Sequence, residues 1–369
     1  MRPVRNAALL GGLLGVAPVT ACAQAPEPSS FAGLVQALSE PQGYFDTDNL
    51  ISNESSYLHA IDALRRAGVS GGAYVGVGPD QNFAYIAAIQ PRVAYLIDIR
   101  RDNLLLHLVF KALFEAAPTR VEYLALLFGR PPPADPAQWR TLPVDSLAAW
   151  VDRTPATVES IGRSLAVVQE GAARTGLPLS VADRATMERF HRAFIRDGLD
   201  LQFTSQGRAP RPDYPDYRRL LTERTRAGQQ ASLLARDADY QYVRRMQRED
   251  RIIPVVGDLA GSRALRAIGQ DARRRGVMVT AVYASNVEFY LAREGTIEQF
   301  AANVQSLPRS PRGVIIRSWF SRFSRPHPMQ VAGYNSVQIV QRFSDFLSLV
   351  DAGNVDYWEL VTTGIVTPE

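Results

Sequence analysis

The sequence predicts an α/β protein: a doubly wound, mostly parallel sheet carrying a helical insertion. Three observations predict it. Short β-branched runs alternate with helical patterns in βαβα order between Gly72 and Glu115, strand-like sequence resumes at Ile252, and a glycine-containing turn, Gly76 to Asn82, joins the first strand to its helix.

The chain opens with Arg2 and Arg5, then the apolar run Ala7 to Val16, then small residues from Thr20 to Ala25. That order predicts a secretory signal over residues 1–22, because the run falls well short of the roughly 20 residues of a spanning helix. The sole cysteine, Cys22, stands in Val19-Thr20-Ala21-Cys22, which resembles the lipobox at which bacterial precursors are cleaved and lipidated. Ordinary cleavage at Ala21-Cys22-Ala23 is the other reading. The expected location is exported, periplasmic or anchored to the outer membrane by lipid on Cys22, with no contact to a membrane except through that anchor. A single thiol excludes an internal disulfide. Residues 23–30 read as a tether, and 31–369 as one α/β domain.

Within that domain, Phe31 to Leu38 is an amphipathic helix and Glu40 to Asn53 a polar, turn-rich segment. Leu58, Ile61 and Leu64 recur at helical spacing in Tyr57 to Ala67, which Gly68 closes. Gly72 to Val77 and Val93 to Ile99 are strands, followed by helices Asn82 to Ile89 and Asn103 to Glu115. From about 118 to 247 polar helical patterns and proline turns replace strands, which predicts the insertion. Ile252 to Val256 and Val277 to Tyr283 are buried strands on either side of a helix from Ser262 to Arg275. Val314 to Arg317 and Tyr357 to Val361 read as late strands around a helix from Ser336 to Val350.

The composition, 46% hydrophobic and 21% charged, is that of a globular chain. Its formal charge of +4 becomes 4 − 2 = +2 without Arg2 and Arg5, and Lys111 is the only lysine, so no basic surface points to nucleic acid. His59, His107, His191 and His327 are scattered without metal-ligand spacing, so no metal site is expected, and His107 reads as a packed helix residue. Neither a G-x-S-x-G nucleophile elbow nor a phosphate-binding G-x-x-x-x-G-K-S/T loop is present.

The chemistry-bearing stretch is Tyr74-Val75-Gly76-Val77-Gly78-Pro79-Asp80-Gln81-Asn82, where glycines let backbone approach a ligand and the helix start offers free N–H groups. Asp98 ends the next strand, where a ribose-binding acid belongs. Asp258 follows the third strand, either as a cap for the helix near Ser262 or as a ligand contact. Asn286 and Glu288 follow the fourth and are the candidate catalytic residues. Arg100 and Arg101 read as a solvated helix start or as partners for acids. Ser52-Asn53-Glu54 is read equally as a helix-capping motif and as a flap over the glycine loop.

These residues resemble the first strands of class I S-adenosylmethionine-dependent methyltransferases, whose loop reads acidic-x-G-x-G-x-G. Gly76 and Gly78 match the first two glycines and Asp98 the ribose acid, while Tyr74 replaces the acid and Asp80 the third glycine. The resemblance implies a methyltransferase-like Rossmann fold and S-adenosylmethionine as the cofactor, with Gly76, Gly78, Asp80, Asn82, Asp98 and Asp258 at its site. Two functional readings follow. In one, the exported domain binds a nucleoside-type or other small polar ligand as a degenerate methyltransferase; in the other it is a non-enzymatic envelope scaffold that binds a protein partner, with Tyr214 and Tyr217 of the Pro-rich segment Gly207 to Tyr217 as candidate contacts.

Overall fold

A computed structural model of the chain describes residues 30–47, 49–205, 211–321 and 325–367. The leader and Cys22 lie outside the described residues. In chain order the helices are α1 (Phe31–Leu38), α2 (Ala60–Arg66), α3 (Asn82–Ile89), α4 (Arg101–Ala116), α5 (Arg120–Leu127), α6 (Val144–Arg153), α7 (Val158–Arg174), α8 (Val181–Asp197), α9 (Tyr217–Thr222), α10 (Asp237–Arg248), α11 (Ala264–Arg274), α12 (Val287–Glu294), α13 (Ile297–Ser306), α14 (Phe343–Asp351) and α15 (Tyr357–Thr362). The strands are β1 (Ala73–Val77), β2 (Val93–Asp98), β3 (Ile252–Val256), β4 (Val279–Ser285), β5 (Arg309–Phe320) and β6 (Ser336–Arg342).

The strands form one sheet in the order β3-β2-β1-β4-β5-β6, parallel throughout except for the antiparallel β5–β6 pair. This is a Rossmann-like α/β fold. Every residue of β1, β2 and β3 is buried, as strands covered by helices on both faces require. Right-handed crossovers dictate two helical layers. On one side α3, α4 and α10 pack together; α11, α13 and α14 pack on the other. The strand order changes its direction of progression between the parallel neighbours β1 and β4 at the centre of the sheet, so their carboxyl ends flank a natural crevice.

Between β2 and β3 the described residues form helices and isolated bridges but no strand of the sheet. One buried side chain holds much of it in place: the Arg120 guanidinium donates to the carbonyls of Leu234, Ala235, Trp139, Arg140 and Leu142 at 2.6–3.2 Å. Five acceptors on two segments make it a staple.

Two late assignments from sequence are corrected. Ser336 to Val350 is not one helix: Ser336–Arg342 is the edge strand β6 and only Phe343–Asp351 is helical. Val337 and Ile339 alternate at strand period, with Val340 extending the apolar run, and such short runs do not distinguish the two periods. Tyr357 to Val361, expected as a strand, is the helix α15, started by the Asp356 carboxylate, which accepts from the N–H groups of Trp358 and Glu359. No described helix is long and apolar enough to cross a membrane.

Candidate functional site

A crevice of about 460 Å³ opens where the carboxyl ends of β1, β2, β3 and β4 meet, a size within the usual range for small-molecule sites. Gly78, Asp98, Asp258 and Asn286 line it, each from a different strand end. Asn49, Ser52 and Asn53 close its front, which places Ser52-Asn53 as a flap; the helical turn at Tyr57 has no side-chain cap, and Ser52 Oγ accepts instead from the Glu54 N–H at 3.1 Å. Phe45 and Tyr290 meet edge to face at 5.0 Å between centroids on one wall, and Phe203 and Tyr214 do the same on another.

The glycine loop is built in two layers. Its underside is a lock: Asn82 Nδ2 donates to the carbonyls of Val77, Gly78 and Pro79 at 2.8–3.2 Å, and Asn82 Oδ1 accepts from the Tyr74 hydroxyl at 2.7 Å. A Cβ on Gly76 would collide with both Asn82 Oδ1 and the Tyr74 ring, so glycine there serves the lock. Of the two glycines, Gly78, at φ +88°, reaches the crevice. Asn82 and Gly76 therefore shape the loop from beneath. Asp80 turns away too, beside Tyr217, whose hydroxyl donates to it; burial pushes its carboxyl up to about 6 against that hydrogen bond.

His107, expected as plain packing, supports the same loop. Burial pushes it down to about 4, so it is neutral at pH 7, and its Nε2–H donates to the Gly78 carbonyl at 2.9 Å. Nothing in the sequence pattern links a helix residue to a loop carbonyl 29 positions away.

Asp98 is not open to a ligand on both oxygens. Arg100 grips it with Nε and Nη2 at 3.2 Å each and its own N–H at 2.9 Å, while Arg100 Nη1 donates to the Thr47 carbonyl at 2.6 Å. The pair joins β2 to the front of the crevice. Asp258 Oδ1 accepts from the Ala260 N–H at 2.9 Å, and the helix that follows is capped instead by Glu40, whose carboxylate takes the N–H groups of Asp258 and Ala264 at 2.7 and 3.2 Å.

At β4 the two candidate catalytic residues separate. Asn286 lines the crevice, whereas Glu288, in the first turn of α12, is fully buried in an ion pair with Arg317 at 2.7 Å. Arg317 also donates to Gln341 Oε1 and the Leu360 carbonyl at 2.6 and 2.7 Å, so the pair holds α12 and α15 to β5 and β6. The residue sequence reasoning undervalued is Glu54. It is fully buried, and its carboxylate accepts from Tyr283 Oη at 2.5 Å, Gln338 Nε2 at 3.0 Å and Ser285 Oγ. Its partners stand 229 to 284 residues away, which is why no local pattern announced them. No group of three or more His, Cys, Asp or Glu suited to a metal occurs among the described residues.

The fold is that of a Rossmann-like α/β protein with a crevice at its strand ends. The chain belongs to the family described as Domain of unknown function (DUF7790), whose model matches residues 49–130 and 193–361. These spans contain all six strands and most of the crevice; α6, α7 and the larger part of α8 fall between them. No curated protein matches the chain.

Proposed function

We propose that this chain binds a small polar ligand of nucleoside type in the crevice, in the place where a methyltransferase-like domain holds S-adenosylmethionine. The observation that carries this reading is the convergence of four strand ends on one cavity of about 460 Å³ with a polar floor and aromatic walls. Gly78, Asp98 and Asn286 offer hydrogen-bonding groups to a sugar and its substituents, and the ring pairs at Phe45 and Phe203 offer faces to a flat base. Methyl transfer is not part of the proposal. The Asp98 carboxylate is already forked by Arg100, and the leader over residues 1–22, read as an export signal, would remove the protein from the cytoplasmic supply of that cofactor.

Titration calorimetry of the chain with S-adenosylmethionine, S-adenosylhomocysteine and adenosine tests the reading. Micromolar binding to at least one of them, weakened about tenfold or more in Asp98→Ala, is the expected result, since a lost hydrogen bond to a charged group costs about 1.5–3 kcal/mol. Silence from all three with the fold intact overturns it and leaves the envelope scaffold as the better reading.

A further inference from the structure

The turn after β4 carries features that nucleoside binding does not need. Ser285, the last residue of β4, sits at φ +54°, a left-handed conformation that serine rarely adopts. The register against β5 shifts between Tyr283 and Ser285, and such a bulge re-aims the side chain beyond it. Asn286 and the helix α12 follow at once. A serine raised on a strained strand-to-helix turn at the carboxyl end of an α/β sheet is the geometry that exposes a seryl nucleophile. Here it exists without the flanking glycines of G-x-S-x-G: Tyr283 and Val287 stand in their places.

Strain of this kind persists only where neighbours fix it. Ser285 lines the crevice, and its Oγ–H donates to Glu54 Oε1. The other oxygen of Glu54 is held by Tyr283 Oη at 2.5 Å and by Gln338 Nε2 at 3.0 Å. Across the bulge, one carboxylate takes the hydroxyls of both Tyr283 and Ser285. Among the described residues no cation pairs with Glu54. Hydroxyl, carboxylate and orienting donors thus stand in the order of an activated nucleophile, its base and the groups that aim the base.

We propose that Ser285 is the nucleophile of a carboxylic-ester hydrolase centre in this crevice, with Glu54 as its general base and the first N–H groups of α12 as oxyanion donors. Burial pushes the Glu54 carboxyl up, against the pull of its hydrogen bonds, which makes it a better base than an exposed carboxylate. The amides at the start of α12 have no side-chain cap, and the N–H of the residue after the nucleophile is Asn286's own. Gln81 supplies a second substrate contact: it is 6% exposed, lines the crevice, and its Oε1 has no partner.

In the first step Ser285 Oγ bonds to the ester carbonyl carbon and its proton passes to Glu54. The bond from that carbon to the alcohol oxygen breaks, and the alcohol leaves with the proton from Glu54. In the second step water adds to the acyl carbon, its proton passes to Glu54, and the Ser285 oxygen leaves and recovers that proton. Tyr283 and Gln338 are positioning residues.

The inference does not rest on the nucleoside reading, because its probes need no nucleoside. The chain is incubated with p-nitrophenyl acetate and p-nitrophenyl butyrate, and separately with a fluorophosphonate followed by peptide mass mapping. Expected are hydrolysis above background, a fall of about 100-fold or more in Ser285→Ala and in Glu54→Gln, and a phosphonyl adduct on the peptide containing Ser285. If Ser285→Ala does not fold, Ser285→Gly removes the hydroxyl while accepting the left-handed backbone. No adduct, an adduct on another residue, or hydrolysis unchanged in a folded Ser285 variant overturns the proposal.

Discussion

The two turns that flank the centre of the sheet, after β1 and after β4, use their unusual backbones in opposite ways. After β1 the polar groups face inward: Tyr74, Gly76 and Asn82 form a closed lock, and His107 fastens the Gly78 carbonyl from behind. After β4 a serine that could have been glycine is kept at φ +54°, with its hydroxyl directed between a buried carboxylate and the crevice. The glycine-bearing turn is mostly architecture, and the turn without a signature holds the reactive arrangement. A recognisable motif therefore marks where backbone is crowded, which need not be where chemistry happens.

The sharpest way to break this contrast is Gly76→Ala. A methyl group there meets Asn82 Oδ1 and the Tyr74 ring in a core with no slack, and the variant should lose about 3 kcal/mol, read as a lowered denaturant midpoint. An unchanged midpoint would mean that the lock is not tight.

A comparable effect is expected from pH. His107 and His191 are held near 4 by burial, against an ordinary value of 6.5. The unfolded chain then binds more protons than the folded one between those values, so stability is complete above pH 6.5 and falls as pH drops toward 4. Each histidine contributes about 3 kcal/mol to that loss. His107→Gln keeps an N–H for the Gly78 carbonyl and should remove one share of the slope; an identical slope contradicts the placement.

Asp80 runs the other way. Its folded value, raised to about 6 from 3.8, means that its contribution is present below about 4 and lost as pH rises through 6. Asp80→Asn should stabilise the chain at pH 8 by about 1–2 kcal/mol, a figure reduced for its half-buried position. Equal stability of the two chains at pH 8 would argue against burial as the cause.

The smallest change belongs to Ser285→Gly. Relief of backbone strain offsets the lost hydrogen bond to Glu54, so stability should move by less than about 1 kcal/mol. A glycine tolerated at 285 and indispensable at 76 would state the comparison in two numbers.

Much of this fold was legible because its signals are local. Phe31–Leu38, Asn82–Ile89 and Ile252–Val256 form where the pattern predicts, and among the described residues between β2 and β3 no strand of the sheet occurs, as expected. The strand Ser336–Arg342 and the helix Tyr357–Thr362 were not legible, although Val314 to Arg317 does lie in a strand, because a run as short as Ser336–Arg342 takes its identity from pairing with β5 rather than from its own period. The site divides in the same manner. Gly78, Asp98, Asp258 and Asn286 were placed by their positions after strands, a rule of the fold class. Gly76, Asp80, Asn82 and Glu288 follow that rule in sequence yet point elsewhere, since side-chain direction at a strand end depends on contacts such as Tyr74 and Arg317. Glu54 was visible only as part of a polar triplet, because its partners come from β4 and β6.

Hydrogen–deuterium exchange of the chain with and without saturating S-adenosylhomocysteine tests most directly whether the strand-end crevice is the binding site. Slowed exchange in the segments 44–53 and 285–294, which wall the crevice, is the predicted result. Protection confined to other surfaces, or none at all, would contradict it.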